Sequence, residues 1–111
     1  MVIPNSVVEL LQALVRLPSV NPFALDAASA PFLGELRCAE FVAEFLRSIG
    51  AEVTLDEVEP NRPNVIGHFR SQGTGKPRVL LGPHLDTVSV QGMTIEPFSG
   101  EIRDGRIYGR G

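Results

Sequence analysis

The stretch Val79-Leu80-Leu81-Gly82-Pro83-His84-Leu85-Asp86-Thr87-Val88 decides how the chain is read. An apolar run ends in glycine and proline, then at once presents a histidine and an aspartate two residues apart. Arg78 to Gly82 reads as a strand buried on both faces, and sites in open α/β sheets gather at the carboxyl ends of strands. In extended backbone, residues i and i+2 point to the same side. His84 and Asp86 can therefore project together while Leu85 turns back to the core. A metal-ligating imidazole usually donates its other N–H to a partner that fixes its tautomer and orientation, often a carboxylate. The pair can supply both, although His-x-Asp alone is a weak signal that more often marks a strand-end ion pair.

Upstream, the spacing of Val7, Leu10, Leu11, Leu14 and Val15 predicts a helix over about Ser6 to Leu17. Ser6 and Glu9 form a capping-box pattern, and Pro18 and Pro22 bound an ordered loop. A second helix is expected from about Pro31 to Ile49, with Leu36, Ala39, Val42, Phe45, Leu46 and Ile49 on its apolar face and Gly50 as C-cap. Glu40, Glu44 and Arg47 lie on its solvated side. Asp26 to Ala30 carries no readable signal. Cys38, beside the apolar stripe, reads as a buried structural thiol.

After Gly50 the period shortens to two, and Ala51, Val53 and Leu55 alternate with Glu52, Thr54 and Asp56 as in a strand with one wet face. Asn64 to Arg70 gives a second strand and Arg78 to Gly82 a third. The seven residues between these two are too few for a parallel crossover, so the pair should be antiparallel if adjacent. Downstream, Asp104-Gly105 between Glu101-Ile102-Arg103 and Arg106-Ile107-Tyr108 is a hairpin signal. It sets Ile102 against Ile107, and Arg103 against Arg106, a like-charge pair that needs Glu101 or Asp104 beside it. The fold class is α/β, a mixed β-sheet packed by helices.

With 111 residues, 43% of them hydrophobic, the chain has the size of one globular domain and not two. Ten basic against thirteen acidic residues give a net charge of -3, the wrong balance for a phosphate-backbone binder. No stretch approaches the roughly 20 apolar residues of a bilayer-spanning helix, and no charged leader pattern opens the chain. A cytoplasmic location is expected. One cysteine allows neither an internal disulfide nor a thiolate zinc cluster, so any metal must be held by histidine and carboxylates. Gly73-Thr74-Gly75-Lys76 fails as a phosphate loop, because Arg70 stands at the required glycine and Pro77 at the Ser/Thr position. The dinucleotide fingerprint fails as well, at Arg78. His68, alternating with Phe69 along a strand, reads as a surface residue.

Leu17-Pro18-Ser19-Val20-Asn21-Pro22, Arg62-Pro63-Asn64-Val65, His84-Leu85-Asp86-Thr87-Val88, Pro97-Phe98 and Tyr108-Gly109-Arg110-Gly111 occur in one order and spacing. In these the chain resembles the M20-family metallopeptidases, co-catalytic zinc hydrolases of the acetylornithine deacetylase and succinyl-diaminopimelate desuccinylase type. The resemblance covers essentially the whole chain. It implies that His84 is a zinc ligand and Asp86 the catalytic-site carboxylate that orients it. It departs at Ser89, where the family often has proline, and in lacking the tryptophan that many members carry before Pro-Phe.

The same resemblance implies that residues 1–111 are the N-terminal portion of a catalytic domain. The metal-bridging aspartate, the general-base glutamate, the other ligands and a lid or dimerisation domain would lie beyond Gly111. The implied activity is hydrolysis of the amide bond of N-acyl amino acids or small peptides, with two Zn2+ (or Co2+) per site, in a homodimer that engages neither nucleic acid nor membrane. These residues alone should be inactive, since catalytic zinc needs at least three protein ligands. Two alternatives are a non-catalytic binding module and a dipeptidase or carboxypeptidase of the same family.

Overall fold

Ser6 starts the first helix by accepting the Glu9 N–H on its hydroxyl at 3.2 Å, while the Glu9 carboxylate reaches back to the Asn5 N–H at 2.7 Å. One donor that the first turn leaves free is thereby satisfied, and the residue before the cap is tied to the same turn. The computed structural model describes every residue from Met1 to Gly111, and in it this helix, α1, spans Val7–Arg16. The second helix, α2, begins later than its sequence pattern suggests, at Leu36–Ser48. Pro31 sits instead in a 3-10 turn, Ala30–Phe32, and Gly34 adopts φ +92°, a conformation no helix tolerates. Past Ser48 the chain turns at Gly50, and the Ala51 N–H bonds back to the Leu46 carbonyl at 3.0 Å.

Strands β1 (Glu52–Glu59) and β2 (Arg62–His68) form an antiparallel hairpin, with Val53 opposite Gly67 and Leu55 opposite Val65. Helix α2 packs on this hairpin, with Leu46 against Gly67, and Cys38, Ala39 and Ala43 of the helix are buried. A second hairpin joins β3 (Ile102–Arg103) to β4 (Arg106–Ile107) in the register expected, Ile102 to Ile107 and Arg103 to Arg106. Asp104 and Gly105, at φ 51° and 73°, make its two-residue turn. The like-charge pair is relieved by Glu101, 3.6 Å from Arg103, and by the Tyr108 ring, 4.5 Å from the same guanidinium.

Two expectations are corrected. The sheet is not mixed, since both ladders are antiparallel and parallel pairing is confined to isolated bridges of Val20 with Leu33 and with Thr87. Arg78 to Gly82 is not a strand either, and Val79, Leu80 and Leu81 are 82%, 94% and 82% exposed. A strand is defined by its hydrogen-bonded neighbours, and nothing in the chain pairs with this run. Between it and β2 lies an open cleft of about 1730 Å³.

The packing is correspondingly loose. The solvent-accessible surface is 7873 Å², against about 6,000 Å² for a compact protein of this mass. The radius of gyration is 15.8 Å, against about 13 Å. No helix is long and apolar enough to cross a membrane.

Candidate active-site segment

The loop after α1 positions the histidine and aspartate. Ser19 and Val20 are buried, and their backbone runs beside Thr87, whose N–H donates to the Ser19 carbonyl at 2.9 Å. The Asn21 N–H donates in turn to the Thr87 carbonyl at 2.9 Å. On the other side of Val20, its N–H meets the Phe32 carbonyl and its carbonyl accepts from Gly34. Thr87, next to Asp86, is thus held without belonging to a sheet.

Within this frame His84 Nδ1 lies 2.7 Å from the Asp86 carbonyl oxygen and 3.2 Å from Asp86 Oδ1. Neither oxygen can donate, so in the neutral ring Nδ1 carries the proton and Nε2 keeps its lone pair. The His84 side chain is 78% exposed, leaving Nε2 open to solvent, whereas Asp86 is 34% exposed. The second oxygen of Asp86, Oδ2, accepts from Asn21 Nδ2 at 2.8 Å. This bond above all holds the Asp86 carboxyl below its ordinary value, against the opposing effect of burial.

Such an arrangement can present one oriented imidazole nitrogen to an electrophile or a cation. No three or more His, Cys, Asp or Glu side chains come together, so the residues present do not make a metal site by themselves. At least three protein ligands are needed for that. His84 could supply one, with Asp86 behind it.

Other features of the sequence fall where their chemistry predicts. His68 is exposed at the end of β2. Cys38 is buried, which raises its thiol above the ordinary value and keeps it protonated. Glu44 and Arg47 pair at 3.2 Å on the exposed face of α2.

Three connections escaped the sequence reading. Asn21 reaches Asp86 across 65 residues, and neither its Asn-Pro dipeptide, a mark of turn initiation, nor its place in the Leu17–Pro22 motif names that partner. Asp26 to Ala30, read as uninformative, contains a polar clasp. The Ser89 hydroxyl donates to Asp26 Oδ2 at 2.7 Å, and buried Ser29 receives the Val90 N–H at 3.1 Å. Arg110 lies on the Phe98 ring at 4.2 Å and donates to the carbonyls of Val15 and Leu17, closing the end of α1. Its neighbour Gly109 has no room for a side chain, because a Cβ there would sit 2.7 Å from Val15 Cγ1. The Gly111 carbonyl then accepts the Val88 N–H at 2.9 Å, bringing the last motif alongside the His84 segment.

Arg62 of the Arg-Pro-Asn-Val motif clamps buried Glu35 at the start of α2. Its Nη2 and Nε each lie within hydrogen-bonding distance of the carboxylate, the shortest at 2.7 Å, and its Nη1 reaches Glu59 at 3.1 Å. These carboxylates raise the guanidinium further above its already high ordinary value. The clamp fixes α2 to β2.

The chain is similar to succinyl-diaminopimelate desuccinylases. It is 34% identical to that of Methylorubrum extorquens over 111 residues, covering 96% of this chain and 26% of the relative. With the Rhodopseudomonas palustris protein the identity is 33% over 102 residues, 88% of this chain and 24% of the relative. With the Wolinella succinogenes protein it is 31% over 107 residues, 96% and 25%. The chain therefore spans about a quarter of the length of the curated relatives it matches. No family model and no solved structure matches it. Along nearly its whole length, and in the five ordered motifs, the chain is similar to the succinyl-diaminopimelate desuccinylases of the M20 family, as an N-terminal fragment of that family would be.

Proposed function

We propose that these 111 residues form the opening portion of the catalytic domain of a metal-dependent amidohydrolase that removes an acyl group from an amino acid. The observation that carries this is the His84 ring, with Nδ1 turned onto two oxygens of Asp86 and Nε2 free. In this reading His84 is one ligand of a zinc-type centre and Asp86 fixes its tautomer, which raises the basicity of the ligating nitrogen. A bound metal in such enzymes acidifies a water and polarises the scissile carbonyl. This chain's own residues contribute orientation: the loop 19–21 holds Asp86, and Asp86 holds His84. A succinylated or otherwise acylated amino acid is the substrate class suggested by the names of the relatives.

A second reading is favoured by one observation, that no three potential ligands meet in the chain. It takes the chain as a non-catalytic binding module of the same descent. One experiment separates the two. A chimera in which residues 1–111 replace the aligned quarter of the Methylorubrum extorquens protein is assayed on succinyl-diaminopimelate. Metal-dependent desuccinylation that His84→Ala abolishes supports the enzyme reading. A folded chimera with no activity, alongside an active parent, supports the module.

A further inference from the structure

The Asn21 side chain makes two hydrogen bonds of opposite sense. Its Oδ1 accepts the Phe23 N–H at 2.9 Å, closing a turn on its own loop, and its Nδ2 donates to Asp86 Oδ2 at 2.8 Å. The first bond settles which end of the amide is which, since only oxygen can accept from an N–H. The nitrogen is therefore committed to Asp86. The Asn21 backbone is pinned as well, by its N–H on the Thr87 carbonyl and by fully buried Val20 before it. A donor anchored at three points faces a carboxylate whose other oxygen stands 3.2 Å from His84 Nδ1.

We propose that Asn21 is the positioning residue of this site: its amide locks the Asp86 carboxylate in one rotamer, so that Oδ1 stays directed at His84 Nδ1. The inference rests on the reading of His84 and Asp86 given above. Without the lock, the carboxylate rotates about χ1 and the imidazole loses one of the two oxygens that hold it. A network of this kind acts as a unit, because each bond orders the groups that make the next.

The test uses NMR on the chain itself and needs neither metal nor activity. In the wild type, three-bond Hα–Hβ couplings of Asp86 should report one χ1 rotamer, and the Asn21 Nδ2 protons should exchange slowly with solvent. Asn21→Asp keeps the acceptor for Phe23 and the backbone bond to Thr87 but removes the donor. It should average the Asp86 couplings while the amide shifts of Ser19, Val20 and Thr87 stay in place. Asn21→Ala should average them too. A single Asp86 rotamer persisting in both variants overturns the proposal, and so does free-amide exchange at Asn21 in the wild type, a result that does not depend on either variant folding. The underlying reading fails separately, if long-range 15N–1H spectra show wild-type His84 protonated at Nε2.

Discussion

Ser89 donates its hydroxyl to Asp26 Oδ2 across 2.7 Å, tying together segments 63 residues apart. Ser89 also accepts the Gln91 N–H at 3.0 Å and meets the Ser29 hydroxyl at 3.1 Å. The proline that the family resemblance leads one to expect after Val88 could do none of this. The clasp is a local feature of this chain that fixes the loop beside the His84 segment.

Asp26 accordingly titrates below its ordinary value of 3.8, chiefly through the Ser89 hydroxyl. A depressed carboxylate stabilises the fold above its unfolded-state value and loses that contribution as pH falls through the depressed one. The clasp should therefore be intact from neutral pH down into the ordinary carboxylate range and open below it. Carboxyl-carbon NMR should show Asp26 titrating below its ordinary value of 3.8, and Ser89→Ala should return it upward. An unshifted Asp26 in the wild type contradicts the clasp.

Arg62 and Glu35 give a second prediction. Arg62→Ala strands a carboxylate that is 8% exposed. Removing one partner leaves the other charge uncompensated in the interior, so the urea midpoint should drop steeply. Arg47→Ala, at an exposed pair, should change it by less than about 1 kcal/mol. Equal effects at the two positions would contradict the clamp.

Gly109 gives a third. Gly109→Ala drives a methyl into Val15, and overpacking of this kind costs about 1–3 kcal/mol. Combining it with Val15→Ala should recover part of that loss, because residues in contact are not additive. Strict additivity in a double-mutant cycle would show that Gly109 and Val15 do not touch.

The exposed run Val79-Leu80-Leu81 gives a fourth. Unpaired apolar backbone of this kind promotes association. Sedimentation velocity of the isolated chain should show self-association rising with concentration, and Leu80→Lys should reduce it. A monomer at all concentrations for the unmodified chain contradicts the expectation.

That same run shows where reading the sequence stopped. Continuous hydrophobicity at 78–82 reports that a segment belongs in an interior, but it carries no information about which chain segment covers it. The alternation at Ala51 to Asp56 and the Asp104-Gly105 turn were legible because each is settled within a few residues. The start of α2 was misplaced because the apolar period continues through Pro31 to Phe32, while Gly34, at φ +92°, interrupts the backbone. The contact between His84 and Asp86 was legible from their i, i+2 spacing. Asn21 was not, because its partner lies 65 residues away and its side chain carries no distinguishing pattern. The same holds for Arg110, whose targets are carbonyls at the far end of α1.

The most direct test of the account is the metal content of the chimera described above, measured by elemental analysis after purification and set against its His84→Ala and Asp86→Asn variants. The account predicts a metal-loaded parent chimera, loss of bound metal in His84→Ala, and a weakening of metal affinity of about 10–100-fold in Asp86→Asn, the usual effect of removing a carboxylate that orients a ligand. Unchanged metal content and affinity in His84→Ala would contradict it.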